Sequence, residues 1–501
     1  MKVKKNIFRT MLSVSGIVIL AKVLGFVKQM VTANAFGATI QTDLIYISEG
    51  LVANIDYLLI QTLATAFIPT YIHLKTTDLG KSKQFVSNVI KVFLLVTITI
   101  STAVLLLAPY IAKVLAPSYS VELSAQLSFY VRIFSPVLIV LVELAIFNSL
   151  LKANEIFVPG ELVGVNQSII LILLVILIGR IIGPDTVVIA FYAYAVFNLL
   201  FLMVYSRKYW KVGRGNPFKD DNVHKMLVMM GPLLLGYSVV FVNQQVDKII
   251  VSGLGEGTVT AMNYAAVLSN FVSTFIGSIC GVLFTYITQN IAEKRDRAAA
   301  DLTVTSALQI GTLLLPISVI TVMNAKDIVT IVFGRGKFDD VAIHNCSMAL
   351  IGYGLMFVPF VMRELFSRFQ YAYGDSKRPM INSTLAILFN IVFSIILSRF
   401  MGVLGVTLAT SISVLICGIL NIISSRKKNR DINISSYIKL FPRWIIGIGV
   451  CISVSIIFQK VVSINHPIVR FILVTVVTLT IYGIAVWPII KPLINKIMRK
   501  S

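Results

Sequence analysis

The sequence predicts an all-α polytopic membrane protein of about 14 transmembrane helices. Two six-helix lobes in parallel pseudo-repeat surround a central cavity, and two further helices follow at the C-terminus. Three observations carry this expectation. The 501 residues are 57% hydrophobic and only 13% charged, with a mean hydropathy of +0.88, a balance no soluble domain sustains. Apolar runs of about 20 residues or more, enough to cross a bilayer, recur along the whole chain. Lysines and arginines collect in every second gap between those runs.

The runs centre on residues 10–35, 44–73, 84–109, 125–151, 157–179, 185–205, 227–252, 259–290, 299–323, 342–372, 380–398, 403–424, 437–459 and 468–490. The gaps are too short for a soluble catalytic domain. With the N-terminus in the cytoplasm, the inside gaps carry Lys2, Lys4, Lys5 and Arg9, then Lys75, Lys81 and Lys83, then the cluster from Arg207 to Lys225. Further inside clusters are Lys294 to Arg297, Lys377 and Arg378, Arg426 to Arg430, and Lys491 to Lys500. Outside gaps hold far fewer, among them Lys113, Arg180, Arg335 and Lys337. This is the positive-inside pattern, so both termini are expected in the cytoplasm. The first apolar run is too long for a signal peptide, contains Lys22 and Lys28, and lacks a small-residue cleavage site, so it reads as an uncleaved helix.

The net charge of +22 is dispersed over short loops, with no basic arm or finger, which argues against nucleic acid as a partner. Cys280, Cys346, Cys417 and Cys451 stand singly, and His73, His224, His344 and His466 are isolated near span ends. Neither a disulfide framework, a metal centre nor a Ser-His-Asp arrangement is supported. No phosphate-binding loop of the GxxxxGK[ST] kind occurs. The expectation is a transporter without a cofactor, not an enzyme.

The chain repeats itself weakly. Phe36 to Tyr46, FGATIQTDLIY, aligns with Leu254 to Tyr264, LGEGTVTAMNY, pairing Gly37, Thr42 and Tyr46 with Gly255, Thr260 and Tyr264. Thr70-Tyr71-Ile72 recurs as Thr285-Tyr286-Ile287. Six spans per repeat is an even number, so both copies keep the same orientation. The expected domains are an N-terminal lobe at 1–220, a C-terminal lobe at 221–430, and spans thirteen and fourteen at 431–501.

Charges inside apolar spans are the candidate functional residues, because a lipid-facing charge at mid-membrane is costly. At about 1.5 Å per residue, Lys22 lies roughly 18 Å and Lys28 roughly 27 Å from a helix start near residue 10. Lys22 is then near the midplane and both lysines are expected to face a polar cavity, although Lys28 is also placed to snorkel outward. Asp43 suits either a helix cap or an ion pair that closes an outer gate. Glu49 and Asp56 lie seven apart on nearly one helical face, and Asp56 is placed to pair with Lys22 or Lys28. Arg132 and Glu143 are a similar pair in span four. Asp247 and Lys248 are adjacent, and suit interface anchoring as well as ligand contact. In span ten, Glu364 and Arg368 form a favourable i,i+4 pair beside Arg363, which suits an internal ion pair or a phosphate contact. The neighbouring Phe366, Phe369, Tyr371 and Tyr373 read as an aromatic belt.

Several of these residues fall in a recognisable order. Ala21-Lys22-Val23-Leu24-Gly25-Phe26-Val27-Lys28, Ala35-Phe36-Gly37, Thr42-Asp43 and Ala66-Phe67-Ile68-Pro69 resemble the start of the lipid II flippase family (MurJ, also called MviN), within the MATE-like superfamily. Val246-Asp247-Lys248, Asn263-Tyr264-Ala265, Ser367-Arg368-Phe369, Gly374-Asp375 and Lys377-Arg378-Pro379 extend the resemblance over about the first 380 residues. The chain departs from the family pattern where lysines replace arginines at 22 and 28, where Gln29 replaces an acid, and where Ile55, Asp56 and Val267 stand in place of arginines. The resemblance implies a flippase for an undecaprenyl-pyrophosphate-linked saccharide. Lys22, Lys28, Arg363 and Arg368 would be its cavity cations, and Asp43, Glu49, Asp56 and Glu364 its gating or ion-pair acids. The lipid tail would stay in the bilayer among membrane lipids, along a groove near spans thirteen and fourteen, and a coupling ion or the membrane potential would drive the cycle. The alternatives are an exporter of lipid-linked capsule or exopolysaccharide units, a cation-coupled multidrug antiporter, and a scaffold in a cell-wall complex.

The topology is directly testable. In a cysteine-free background, single cysteines at Gly213 and Lys428 should resist an impermeant thiol reagent in intact cells, and one at Ser118 should react. Labelling of all three from outside would reverse the orientation.

Overall fold

The computed structural model describes residues 2–213, 215–433, 435, 442, 444–449, 452, 453, 456 and 467–498, with side chains at all of these except 2–13, 15, 235–237, 239, 240 and 485–498. The described residues form helices and no strand. In chain order these are α1 (Lys2–Phe36), α2 (Ile40–Thr77), α3 (Leu79–Leu115), α4 (Val121–Phe134), α5 (Val137–Ala153), α6 (Val158–Ile182), α7 (Thr186–Ser206) and α8 (Asp221–Ser252). They continue as α9 (Thr258–Ala292), α10 (Asp296–Met323), α11 (Ala325–Phe333), α12 (Asp340–Gly354), α13 (Phe357–Ala372), α14 (Lys377–Met401), α15 (Val403–Lys428) and α16 (Pro467–Met498).

Ten stretches among the described residues are long and apolar enough to cross a membrane, or eleven when α12 and α13, bent by 43° at their junction, count as one span. One of the ten, Val158–Ser206, contains both α6 and α7. The expected span at 437–459 lies largely outside the described residues. Cys280, Cys346 and Cys417 are buried and free, and Cys451 lies outside the described residues.

The breaks follow local chemistry. Thr39 caps α2 in a capping box with Thr42, and Asp78, Ser120, Asp220 and Asp339 each accept a first-turn amide of the helix that follows. Ser135 and Pro136 interrupt the fourth span between α4 and α5. Gly183 and Gly402 end α6 and α14 at φ +71° and +57°, a region glycine enters without a Cβ penalty.

The chain forms two compact units, Met1–Thr260 with Gly336–Phe338, and Ala261–Arg335 with Asp339–Ser501. In the first unit α1 packs on α6, α6 on α7, α2 on α5 and α8, and α3 on α4 and α5. Gly37, at φ +68°, leaves room for the backbone of Lys337, whose N–H donates to Asn34 O at 3.0 Å. One pair of the sequence repeat meets here, with the Thr42 and Thr260 hydroxyls 3.0 Å apart.

In the second unit α15 packs on α12, α13 and α14, and α10 on α13. The C-terminal segment is tied into this unit at residues the sequence did not single out. Pro316 in α10 has no N–H, so the Thr312 carbonyl loses its helical donor. The Tyr482 hydroxyl of α16 donates to that carbonyl at 2.7 Å, while Trp444 Nε1 donates to the Thr312 hydroxyl at 3.1 Å. At the start of α16, Arg470 makes a two-pronged ion pair with the buried Asp327 of α11, Nε to Oδ2 at 2.7 Å and Nη2 to Oδ1. At the far end of α13, the Tyr373 hydroxyl donates to Asp296 at 2.6 Å and accepts from Asn429 at 3.1 Å; burial and then Asp296 push its pKa up to about 12, so it stays a neutral donor.

These ties predict a graded loss of stability. Tyr482→Phe strips a buried carbonyl of its donor, a cost of about 1–3 kcal/mol. Asp327→Asn unpairs Arg470, and the partial exposure of that guanidinium holds the cost below the roughly 3–5 kcal/mol of a fully buried pair. Both variants should unfold at lower temperature in detergent than the parent, and unchanged unfolding temperatures would remove the anchoring role.

Candidate functional site

Each unit holds a group of two cations around one carboxylate. In the first unit the carboxylate is Glu49 of α2. Lys28 of α1 and Lys248 of α8 both act on it electrostatically. Lys28 sits eight residues before the end of α1 at Phe36, and Glu49 nine residues after the start of α2 at Ile40, so at about 1.5 Å per residue the two lie at depths of about 12–14 Å from those neighbouring helix ends. Lys248 sits four residues before the end of α8 at Ser252. Its ammonium rests on α2, donating to Tyr46 O at 3.2 Å in the space a Cβ on residue 50 would fill. Gly50 is therefore what admits Lys248 to this turn. None of the three charges makes an ion pair within 4.0 Å among the described residues.

The other charges of this unit are placed differently from a simple pairing scheme. Lys22 is exposed on α1 and makes no polar contact among the described residues. Asp56 is partly buried, with Oδ1 buried and without a hydrogen-bond partner; no lysine acts on it, and it instead acts on the Tyr194 hydroxyl of α7, as Glu49 also does. Glu143 of α5 is buried with both carboxylate oxygens unpartnered, and Arg132 is exposed on α4, so these two do not pair. Asp43 is fully buried, and it does not cap α2, whose cap is Thr39. It accepts from Thr260, the backbone N–H at 2.7 Å and the hydroxyl at 2.6 Å, in the first turn of α9, a turn that belongs to the first unit. The amides of Gly257 and Val259 also serve it. A carboxylate facing several first-turn amides is well placed against the helix dipole.

In the second unit the carboxylate is Glu364 of α13. Its Oε1 accepts from Arg363 Nη2 at 3.0 Å and its Oε2 from Arg368 Nη2 at 3.3 Å. The i,i+4 geometry serves Arg368, while Arg363 reaches back along the helix and lays its guanidinium 4.5 Å over the Phe360 ring. Arg368 Nε is buried with no acceptor. Phe284, Arg363, Glu364, Ser367, Arg368, Tyr371 and Ser383 line a cavity of about 350 Å³. Beside it Asn421 donates to Ser367 Oγ at 2.8 Å and accepts from Asn382 at 2.8 Å, which fixes the cavity floor between α13, α14 and α15. Both groups carry one positive charge more than they neutralise. No set of His, Cys, Asp and Glu among the described residues is arranged to hold a metal ion.

Sequence reasoning had Lys28, Glu49, Arg363, Glu364 and Arg368 in hand and left Lys248 open between anchor and ligand. The signal for Lys248 was Gly50, one residue beyond Glu49, since a lone glycine inside a span often marks close approach. Tyr194 and the Asp327–Arg470 pair gave no such signal.

Helices long and apolar enough to cross a membrane, with excess cations among the described interior residues, define a polytopic membrane protein of the transporter class. A sequence model of the family described as lipid II flippase MurJ matches residues 32–478. The chain belongs to the lipid II flippase MurJ family. The probable lipid II flippase MurJ of Rickettsia prowazekii is 22% identical over 96% of each chain. That of Buchnera aphidicola subsp. Acyrthosiphon pisum is 26% identical over 81% of each. A solved structure of lipid II flippase MurJ in an inward closed conformation has the same fold, with a TM-score of 0.77 at 20% identity over 94% of this chain and 98% of that one. A Vibrio cholerae MATE transporter shares the fold more distantly, at a TM-score of 0.55 and 15% identity over 85% of this chain and 97% of that one.

Proposed function

We propose that this chain carries lipid II, an undecaprenyl-pyrophosphate-linked saccharide, from the inner to the outer leaflet of the cytoplasmic membrane, with both termini cytoplasmic. The observation that supports this reading most is the Arg363–Glu364–Arg368 group at the wall of a 350 Å³ cavity. Two guanidiniums share one carboxylate, and Arg368 keeps a buried Nε without an acceptor. A diphosphate offers the acceptors such a fork lacks. Lys28 supplies the corresponding charge in the first unit, and Lys22, exposed on the same helix, meets the head group as it enters. Asp43 and its threonine contacts act at the gate, and the region 431–501 holds the lipid tail. Membrane potential or a coupling ion drives the cycle.

A second reading, export of a lipid-linked surface-polysaccharide unit on the same carrier, is favoured by one feature. Asp56 stands, without a cation partner, where the family pattern has an arginine.

Rescue of cells depleted of their own lipid II flippase tests the first reading, with membrane abundance measured alongside growth. The parent chain should rescue; Lys28→Ala and Arg368→Ala should fail at near-parental abundance; Lys28→Arg should rescue at least as well as the parent. Failure of the abundant parent chain would favour the second reading, and rescue by both alanine variants would remove the anion site. Deleting residues 437–501 should leave an inserted protein that no longer transports, and full rescue by that truncation would free the C-terminal helices from holding the tail.

A further inference from the structure

The seat of Lys248 on α2 has a purpose that the reading above leaves open. A buried lysine is costly unless something holds it. Here the ammonium is held by a backbone carbonyl, Tyr46 O, and by the missing Cβ of Gly50, while the carboxylate on the adjoining residue, Glu49, stays outside ion-pair contact. A lysine needed only for structure would gain most by closing onto Glu49, because direct contact recovers part of the desolvation cost. The observed arrangement keeps both lysines in the field of Glu49 with no ion pair closed to either.

We infer that Lys28 and Lys248 together form a diphosphate-binding pair, and that Glu49 is their resting counter-anion, displaced from its role when the diphosphate enters. This rests on the anionic-substrate reading above and adds to it a second cation, its seat and its competitor. Gly50 sets the geometry by letting Lys248 reach the turn of α2 that carries Glu49. With the site empty, Glu49 offsets one of the two positive charges, so the span keeps a net charge of +1 rather than +2. With a diphosphate bound, the two ammoniums are neutralised by the ligand, and Glu49 becomes a like charge that weakens binding and speeds release.

Binding of inorganic pyrophosphate to the purified full-length chain in uncharged detergent, read by calorimetry with unfolding temperature measured in parallel, tests this. Glu49→Gln should tighten binding several-fold, a gain that damaged folding cannot produce. Lys248→Met, which keeps the aliphatic packing, should weaken binding by about tenfold, the worth of one charge-assisted hydrogen bond. Gly50→Ala should weaken it similarly by unseating the ammonium. In Lys248→Met the tightening by Glu49→Gln should shrink, because the carboxylate then has one lysine fewer to compete for. Unaltered affinity in both Lys248→Met and Gly50→Ala, with Lys28→Ala still weakening binding, would overturn the pair while leaving the anion reading intact. Affinity unaffected by Lys28→Ala, Lys248→Met and Arg368→Ala alike would overturn both. Phosphatidylglycerol added to the micelles should leave pyrophosphate affinity unchanged, and full competition would reassign the pair to phospholipid head groups and overturn the inference.

Discussion

A charge carried into a bilayer must find a partner within reach of its side chain, and the organisation of this chain follows from how that demand is met. Among the described residues, simple one-to-one pairing in the interior joins Asp327 and Arg470, where it ties α16 to α11. The candidate site uses a different arrangement in which a single carboxylate serves two cations, Glu364 for Arg363 and Arg368, and Glu49 for Lys28 and Lys248. Such groups are stable enough to persist yet underneutralised by one charge. That residual charge gives a transporter an affinity for anions without leaving two bare cations in the membrane between cycles.

The backbone obeys the same rule. Where Pro316 strips a carbonyl of its donor, Tyr482 supplies one from the C-terminal segment. Where Asp43 is fully buried, the first-turn groups of α9 surround it with donors. Glu143 and Asp56 stand outside this rule, since buried oxygens of both lack a hydrogen-bond partner, and the matches that do form define which helices are held together.

The helical, membrane-spanning character was legible because it depends on composition and run length, which any window of the sequence displays. The breaks at Pro136, Gly183 and Gly402 were readable in principle from the residues themselves. Glu364 and Arg368 were also legible, since an i,i+4 pair is a property of one helix. The seat of Lys248 was only half legible: Gly50 marks a close approach to α2, but its partner lies about 200 residues away in sequence and nothing local reports which face of α8 meets α2. The pairing offered for Asp56 is not found, for the same reason: shared helical face fixes direction, whereas partnership depends on what a different helix presents, and the buried Oδ1 of Asp56 meets no hydrogen-bond partner. The Thr42–Thr260 contact shows the converse, with a weak repeat in sequence marking residues that meet.

The central claim is that the diphosphate is what the interior cations recognise. Translocation of lipid II in proteoliposomes containing the purified chain, compared with the same saccharide on a carrier lacking the diphosphate, addresses it most directly. The account predicts movement of the diphosphate-linked molecule alone, slowed by external inorganic pyrophosphate. Equal movement of the two, indifferent to pyrophosphate, would contradict it.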